Sequence, residues 1–359
     1  MQGLLAVVLA GSLVAGGPAL AQEEQDTILL KGGQEIRQKI LSEDVDGVWF
    51  SVGGAKNVVR WNKVESIRYG NAAGFYKALE TLSAGNLTEA IEQLEELLKD
   101  TRLRPAFRPI VTYHLAMGYQ RRGDQDKAIG HYQTLLKESP RSRFLVSTGN
   151  NLLSAYLAKG ESGKVTAVLD EVMKTALGAG IEAEVKAGLD LLHARVLELQ
   201  GKLDEAQALY REARSGKEVE ESAQEMARLG LARCLQEKGM AVEAEKEYRD
   251  LVISAHSPGV LAGAWNGIGD IAYSDGFKSK DSRRLREAMF AYLRPRVLYF
   301  SGDSSEEMER ALYGLRLTFN AIASLETDVE KKKLWQQRSK ESEGVLRDQY
   351  PGSPFLKKG

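Results

Sequence analysis

The sequence predicts a mainly helical chain of stacked helix hairpins, an α-solenoid, preceded by a small antiparallel β segment. Three observations support this prediction. Glycines suited to the turn inside a hairpin recur at intervals of 37 to 41 residues. At two fixed distances after these glycines, residues of similar type recur from one unit to the next. Residues 26–69 instead alternate between apolar and polar positions. Intervals of this length are typical of a two-helix repeat, which buries its apolar face only when neighbouring repeats stack on it.

Each unit of the pattern has a turn glycine, a small residue and a larger apolar residue. The turn glycines are Gly85, Gly123, Gly160, Gly201, Gly239 and Gly276. Five residues after each of the first five come Ala90, Ala128, Val165, Ala206 and Ala244. Four residues further come Leu94, Tyr132, Leu169, Tyr210 and Tyr248. We expect the small residues to let the two helices approach closely and the larger ones to fill the seam between them.

Residues 109–140 form the clearest unit. Their apolar positions recur three and four residues apart, and Pro140 ends the second helix; these positions are Leu115, Ala116, Tyr119, Ala128, Tyr132 and Leu135. In this order and spacing they resemble the tetratricopeptide repeat, a helix–turn–helix unit of about 34 residues. The resemblance extends over residues 71–352. It implies a right-handed superhelix of helix hairpins that presents binding surfaces.

Residues 22–70 precede the repeats and predict a small β domain. Val48, Phe50 and Val52 alternate with other residues, and Gly32-Gly33 and Gly53-Gly54 supply turns. Four or five short strands in this space are similar to the Sm-like and SH3-like barrels. Eight acidic and seven basic residues argue against RNA binding. Trp49 and Trp61 either form a recognition patch or pack this domain, within its own core or against the first helix pair.

Residues 1–21 have the pattern of a secretory signal peptide. An apolar run from Leu4 to Val14 is followed by Pro18 and by the small-residue site Ala19-Leu20-Ala21, although no basic residue precedes the run. The run is too short to span a membrane comfortably. Cleavage after Ala21 gives a periplasmic or secreted chain, for which no membrane span is expected. Residues 353–359 remain as a C-terminal tail.

Composition and motifs favour binding over catalysis. Lys plus Arg (49) nearly balances Asp plus Glu (50), so nucleic acid is not an expected partner. Cys234 is the lone cysteine and is expected to be a buried, inert thiol. No metal-ligand or phosphate-loop motif is present, and no cofactor or metal is predicted. The four histidines are scattered over different repeats: His114, His131, His193 and His256.

The family resemblance places the first helix of each repeat on a concave groove. Carried over to this sequence, it implies groove positions at Tyr113, Met117, Arg121, Asn150, Ser154, Arg195, Arg233, Asn266, Asp270 and Tyr273. The Lys and Asn that clamp a carboxyl terminus in some members are replaced here by Ile110 and Tyr113. These side-chain types suit a protein ligand; alternatively, they only solvate the groove.

The sixth repeat predicts an expanded turn. Twelve residues separate Gly276 from Ala288, where earlier repeats use five. The insert carries a basic patch, formed by Lys278, Lys280, Arg283, Arg284 and Arg286. Three interpretations remain open: contact with an acidic partner, contact with an anionic envelope polymer, or a mobile solvated loop.

The predicted function is a non-catalytic secreted or periplasmic scaffold that binds a partner protein along the groove. The alternative is a regulatory or substrate-presenting subunit of a machine for outer-membrane assembly or cell-wall synthesis. Residues 350–354 have a Tyr-Pro-Gly-Ser-Pro junction similar to those of periplasmic tetratricopeptide proteins at the envelope. A repeat-built hydrolase comes third, because the sequence shows no cluster of polar residues for it. The identity of the partner and self-association are left open.

Overall fold

The computed structural model describes residues 25–216, 219–298 and 305–357, so the predicted signal peptide lies outside the described residues. The described strands are β1 (Thr27–Leu30), β2 (Glu35–Arg37), β3 (Ile40–Asp44), β4 (Gly47–Val52), β5 (Ala55–Val59) and β6 (Val64–Arg68). The helices are α1 (Ala73–Ser83), α2 (Leu87–Lys99), α3 (Arg108–Arg122), α4 (Gln125–Glu138), α5 (Leu145–Ala158), α6 (Val165–Gly178), α7 (Glu182–Leu199), α8 (Leu203–Ser215), α9 (Glu221–Glu237), α10 (Ala241–Ser254), α11 (Pro258–Ser279), α12 (Ser282–Leu298), α13 (Ser305–Leu325) and α14 (Val329–Gln349). None of these helices combines the length and apolar character that a membrane span requires.

The β segment consists of two three-stranded antiparallel sheets, ordered β2–β1–β6 and β3–β4–β5. It has six described strands where the sequence predicts four or five, and the chain passes from one sheet to the other at residues 38–39, between β2 and β3. Asp26 holds this crossing. Its carbonyl oxygen accepts from the Gln38 amide (3.1 Å), and its carboxylate accepts from the Ile40 amide (2.6 Å).

Asp26 also ties the sheets to the helices. Its carboxylate is fully buried and receives two hydrogen bonds from Arg104, at 2.7 and 2.8 Å, and one from the Gly70 amide at 2.8 Å. Arg104 lies immediately before the short 3₁₀ turn that leads into α3. The apolar side chains beneath form one continuous cluster that includes Ile28 and Phe50 from the sheets and helical residues from the first repeats. The β segment and the solenoid therefore share one core.

A second set of contacts joins β3 to the linker between α4 and α5. Glu43 is nearly buried and pairs with Arg143 at 2.8 Å. The Arg143 guanidinium lies 4.9 Å from the centre of the Trp61 ring, whose Nε1 donates to the Asp44 carbonyl at 2.6 Å. Trp61 thus docks the β segment on the helices.

The helices form seven consecutive hairpins, α1–α2 through α13–α14. The first five predicted turn glycines all have left-handed φ angles, between 73° and 97°, which glycine adopts without strain. The small-residue column is buried as predicted: Ala90, Ala128, Ala206 and Ala244 are fully buried, and Val165 is 4% exposed. The fold is therefore a tetratricopeptide-like α-solenoid preceded by small antiparallel sheets.

Tyrosine rings from the second helices pack against glycines of first helices in the following repeat. A Cβ at Gly230 would lie 2.3 Å from the Tyr210 ring, a Cβ at Gly267 2.3 Å from the Tyr248 ring, and a Cβ at Gly314 2.5 Å from the Tyr292 ring. No real Cβ tolerates such distances. The absence of a side chain at these glycines is what lets the rings insert between successive hairpins.

The sixth hairpin corrects the predicted turn. Gly276 lies inside α11, and the chain reverses at Lys280, which has a φ of 56°. Of the seven extra residues, four lengthen α11 before the turn and three lengthen the segment between the turn and Ala288 in α12. Each addition is about one helical turn. Because nearly whole turns are added, Ala288 remains fully buried. The insert is helical and is not a loop.

We expect the substitution Arg104→Ala to lower the free energy of unfolding by about 3–5 kcal/mol, because it leaves the buried Asp26 carboxylate without its counter-charge. Arg102→Ala is the matched control: Arg102 is 88% exposed and pairs only with Asp100, two residues away, so stability should hardly change. Urea denaturation of both variants measures the effect. Equal stability of the two variants would show that the Asp26–Arg104 pair does not hold the β segment.

We expect Gly230→Ala and Gly130→Ala to change stability in opposite directions. Alanine favours a helix over glycine by about 0.5–1 kcal/mol, and Gly130 is exposed on α4 with no atom within 4 Å of an added Cβ. Gly130→Ala should therefore stabilise the chain. At Gly230 the added methyl group meets the Tyr210 ring, and overpacking should cost about 1–3 kcal/mol. Thermal unfolding of both variants tests this, and a stabilised Gly230→Ala chain would contradict the stacking.

Candidate partner-binding cavity

The seventh hairpin closes the solenoid on itself. It stacks on the sixth hairpin through Tyr292 and Gly314, as the earlier hairpins stack on one another. The first turn of α13 also reaches back to the inner helices of repeats three and four: Arg195 Nη2 on α7 lies 2.7 Å from a carboxylate oxygen of Glu306, and Ser154 Oγ on α5 lies 3.5 Å from the other. The concave side is therefore not an open groove along its whole length.

Residues 351–357, called the tail from here on, complete this closure at repeats two and three. The Gly352 amide donates to the carbonyl oxygen of Arg121 on α3 (3.1 Å). The Arg121 guanidinium lies 5.3 Å from the centre of the Tyr350 ring. Lys357 Nζ donates to the carbonyl oxygen of Ala158 on α5 (2.8 Å). The end of the described chain thus rests on the ends of two inner helices.

A cavity of about 550 Å³ remains between the inner helices, the start of α13 and the tail. Its wall is mixed in character. The apolar part includes Met117, Val146, Leu153, Leu157, Leu191, Leu199, Met226 and Leu229, and the charged part comprises Arg121, Arg195, Arg233, Glu306, Glu307 and Glu309. A mostly apolar wall with a few placed polar groups is typical of a ligand site.

Ion pairs set the charge of this cavity. The positive charge of Arg195 holds the pKa of the Glu306 carboxyl group below its ordinary value. The Glu306 side chain lines the cavity and is 55% exposed. Arg233 Nε lies 3.1 Å from a carboxylate oxygen of Glu198, and this arginine with Arg195 keeps the pKa of Glu198 low despite burial. Glu309 behaves differently, because burial raises its pKa to about 8. The cavity therefore contains one carboxyl group that is mainly protonated at neutral pH.

Seven of the ten predicted groove residues line this cavity: Tyr113, Met117, Arg121, Asn150, Ser154, Arg195 and Arg233. Four of them, Met117, Ser154, Arg195 and Arg233, each stand six residues before the turn glycine of their repeat. The seven differ in accessibility. Tyr113 is buried and stacks on Phe144 with 4.3 Å between ring centres, so it belongs partly to the core.

The other three predicted groove residues do not line this cavity, and the prediction needs correction at Asn266 and Asp270, which contacts within the chain occupy. Asn266 is fully buried and donates to the main chain and carboxylate of Glu307, at 2.7 and 2.8 Å. Asp270 pairs with Arg310 and accepts from the Tyr292 hydroxyl at 2.5 Å. Tyr273 is half-buried beside Phe277. Asn266 and Asp270 are covered because α13 packs on them as the next first helix.

The predicted basic patch is divided between two helices. Lys278 and Lys280 stand at the end of α11 and Arg283, Arg284 and Arg286 at the start of α12. Arg284 is occupied by carboxylates of Glu245 (2.6 Å), Glu287 (2.7 Å) and Asp275 (3.3 Å). The remaining four side chains are exposed. Whether they meet an acidic partner remains a prediction.

Among the described residues, one further group brings metal-ligating atoms together: Glu221, Glu225 and His256. Glu225 is buried, and its two carboxylate oxygens accept from the His256 amide (2.7 Å) and the Ser257 amide (2.9 Å). These bonds satisfy main-chain donors where α11 begins. The contacts of Glu225 are therefore those of a residue that caps a helix.

Comparison with known proteins supports the repeat. Residues 111–142 match the family model of the tetratricopeptide repeat. A TPR repeat-containing protein of Synechococcus elongatus is 37% identical over 79 residues, which are 22% of this chain and only 20% of that protein. These two sequence matches support the tetratricopeptide repeat as the unit of the solenoid.

Two solved structures are similar in part. A tetratricopeptide repeat protein from Parabacteroides merdae has 16% sequence identity and a TM-score of 0.40, covering 74% of this chain and 97% of that one. BtubC from P. vanneervenii has 15% identity and a TM-score of 0.37, covering 65% of this chain and 92% of that one.

We expect the stability of the folded chain to depend on the protonation of Glu309. Its carboxyl group has an ordinary pKa of 4.5 and a pKa of about 8 in the folded chain, owing first to burial and then to Glu306, against the opposing effects of Ser353 and Arg121. Between pH 4.5 and about 8 the folded chain keeps the proton of Glu309 while the unfolded chain loses it. The stability of the folded chain therefore falls as the pH rises through this range. The substitution Glu309→Gln keeps the group neutral.

The variant should therefore gain stability over the wild type as the pH rises from 4.5 to about 8, with no further gain above that. Thermal unfolding at a series of pH values measures the difference. A difference that is constant with pH would show that Glu309 is ionised in the folded chain.

Proposed function

We propose that this protein is a non-catalytic, exported scaffold that holds a short segment of a partner protein in the cavity between its inner helices and its C-terminal hairpin. The tetratricopeptide matches support protein binding as the general role. Export is proposed from the signal-peptide pattern of residues 1–21. The observation that carries the proposal is the lining of the cavity. Four successive repeats each contribute to it the residue that stands six positions before the turn glycine.

The size of the cavity limits what it holds. A volume of about 550 Å³ lies within the range of pockets for small ligands. A folded domain buries far more surface in a stable complex, about 800 Å² per partner. We therefore propose that a partner inserts one or a few side chains of an exposed segment and does not dock a whole domain there.

The charges of the cavity suggest which side chains enter. Arg195 is 22% exposed and pairs with Glu306, whose side chain is 55% exposed. A carboxylate of the partner can replace Glu306 at this guanidinium without leaving a buried charge unpaired. Met226 lines the same cavity, is 43% exposed and offers flexible apolar surface. An acidic side chain beside an apolar one is thus the proposed ligand.

Filling the cavity tests this proposal. Ser154 is half-buried on α5 and its hydroxyl lines the cavity, so Ser154→Trp should occupy the ligand space and abolish partner capture. Thr134→Trp is the control, because Thr134 is exposed on the outer helix α4. Both variants serve as bait in the native envelope fraction, with mass spectrometry of the captured proteins and circular dichroism of the baits.

We expect a stoichiometric partner with the wild type and with Thr134→Trp, and none with Ser154→Trp. Equal capture by a folded Ser154→Trp chain would place the partner outside the cavity. Turnover of a substrate by the purified chain alone would contradict the non-catalytic role.

A further inference from the structure

The ends of α3 and α5 are joined by a segment from the far end of the chain. Residues 350–357 form a turn followed by a 3₁₀ turn, and they lie on the last turns of these two inner helices. The last four carbonyl groups of a helix have no partner within it. Two of these carbonyls, at Arg121 and Ala158, receive their donors from the Gly352 amide and from Lys357 Nζ.

The contact at Gly352 is between main chain and main chain, and it permits only glycine. An added Cβ would lie 2.4 Å from the Gln120 carbonyl oxygen and 2.7 Å from Gly123 Cα. Neither atom belongs to a flexible side chain that could move aside. The surface at the Gly123 turn therefore selects a residue without a side chain.

The contact at Lys357 adds a charge preference. Its ammonium group meets the carboxyl end of α5, where the partial negative charge of the helix dipole stabilises a cation. Glycine and lysine are five residues apart, with Pro354 and Phe355 between them. The surface at the ends of α3 and α5 therefore favours a turn segment that has a glycine at one position and a cation five positions later.

The tail is held more weakly than the helix before it. Tyr350 is 3% exposed and packs with Met308, Leu312 and Leu346, so it anchors the end of α14. Within residues 351–357, Ser353 alone is buried, Phe355 and Leu356 pack against the same cluster but are only partly buried, and Pro351 and Lys357 are exposed. Gly352, Ser353, Pro354 and Phe355 also line the cavity. Release of residues 351–357 would open the cavity and leave the hairpin in place.

From these contacts we propose that the ends of α3 and α5 form a docking site for a Pro-Gly turn segment with a downstream cation. Residues 351–357 occupy this site within the chain, and a partner segment of the same chemistry displaces them. This inference rests on the proposed function, since the displaced tail gives the partner access to the cavity. It adds a second point of recognition beside the cavity itself.

The tail itself supplies the probe. A fluorescent peptide of residues 351–359 is titrated, with anisotropy as the readout, into the intact chain and into a chain truncated after Tyr350. We expect saturable binding to the truncated chain and binding to the intact chain at least about tenfold weaker, because the site is free in only a small fraction of intact molecules. A peptide with Gly352→Ala should not bind, and one with Lys357→Glu should bind more weakly.

A full-length pair of variants gives a second measurement that does not depend on truncation. Gly352→Ala in the intact chain should detach the tail and allow the wild-type peptide to bind. Gly344→Ala, on α14, is the control, since an added Cβ there meets no atom within 4 Å, and its binding should stay as weak as that of the intact wild type.

Two results would overturn the docking site: no peptide binding to either the truncated or the Gly352→Ala chain when circular dichroism shows them folded, or equal binding of the wild-type and Gly352→Ala peptides. These results are independent of partner capture. Specific peptide binding without any captured partner would support the docking site and overturn the proposed scaffold role.

Discussion

The insertion of tyrosine rings against glycines determines how the fourth to seventh hairpins stack, and the closure of the solenoid depends on it. Tyr210, Tyr248 and Tyr292 each occupy the place that a Cβ on the facing first helix would take. The hydroxyl groups of Tyr132, Tyr210 and Tyr248 are also fixed, since each bonds a Gln or Glu side chain twelve residues earlier, at 2.8 to 2.9 Å. A ring fixed at both ends sets the distance and the angle between neighbouring hairpins. The contact recurs from the fourth hairpin to the seventh, and the seventh then reaches the inner helices of the second, third and fourth repeats.

The two ends of the chain are secured by different physical means. At the N-terminal end, Asp26 is a fully buried carboxylate with four hydrogen bonds, from Ile40, Gly70 and Arg104, and a shared apolar core lies beneath it. A buried charge of this kind adds little to stability over an apolar replacement, but it tolerates no other arrangement of its partners. It therefore specifies how the β segment sits on the first repeats. At the C-terminal end, closure depends on ion pairs beside a cavity and on main-chain contacts of a short tail.

The sequence was sufficient for features that depend on near neighbours along the chain. The glycine turns and the buried small-residue column follow from a period that each repeat displays by itself. The turn predicted at Gly276 was misplaced. The seven added residues form about two helical turns, so Ala288 remains in the buried column. Counting residues along the sequence does not distinguish such helical turns from a loop. The covering of Asn266 and Asp270, and the closure through Glu306 and Gly352, join positions that are 40 to 231 residues apart. A repeat pattern predicts which helix faces point inward, but it does not predict which distant segments of the chain pack against those faces.

Closure and stacking differ in strength, and this difference bears on function. Stacking buries large aromatic and aliphatic side chains along every hairpin, so its loss requires unfolding of a repeat. Closure leaves the apolar side chains after Tyr350 only partly buried, as at Phe355 and Leu356, and includes a carboxyl group at Glu309 whose pKa is raised to about 8 by burial. Segments with few buried apolar contacts open at a small fraction of the free energy of global unfolding. Opening at the tail therefore exposes the inner helices while the hairpins remain stacked. In the function proposed above, such a solenoid offers its partner a preformed wall, and the cost of access is confined to the few residues that cover it.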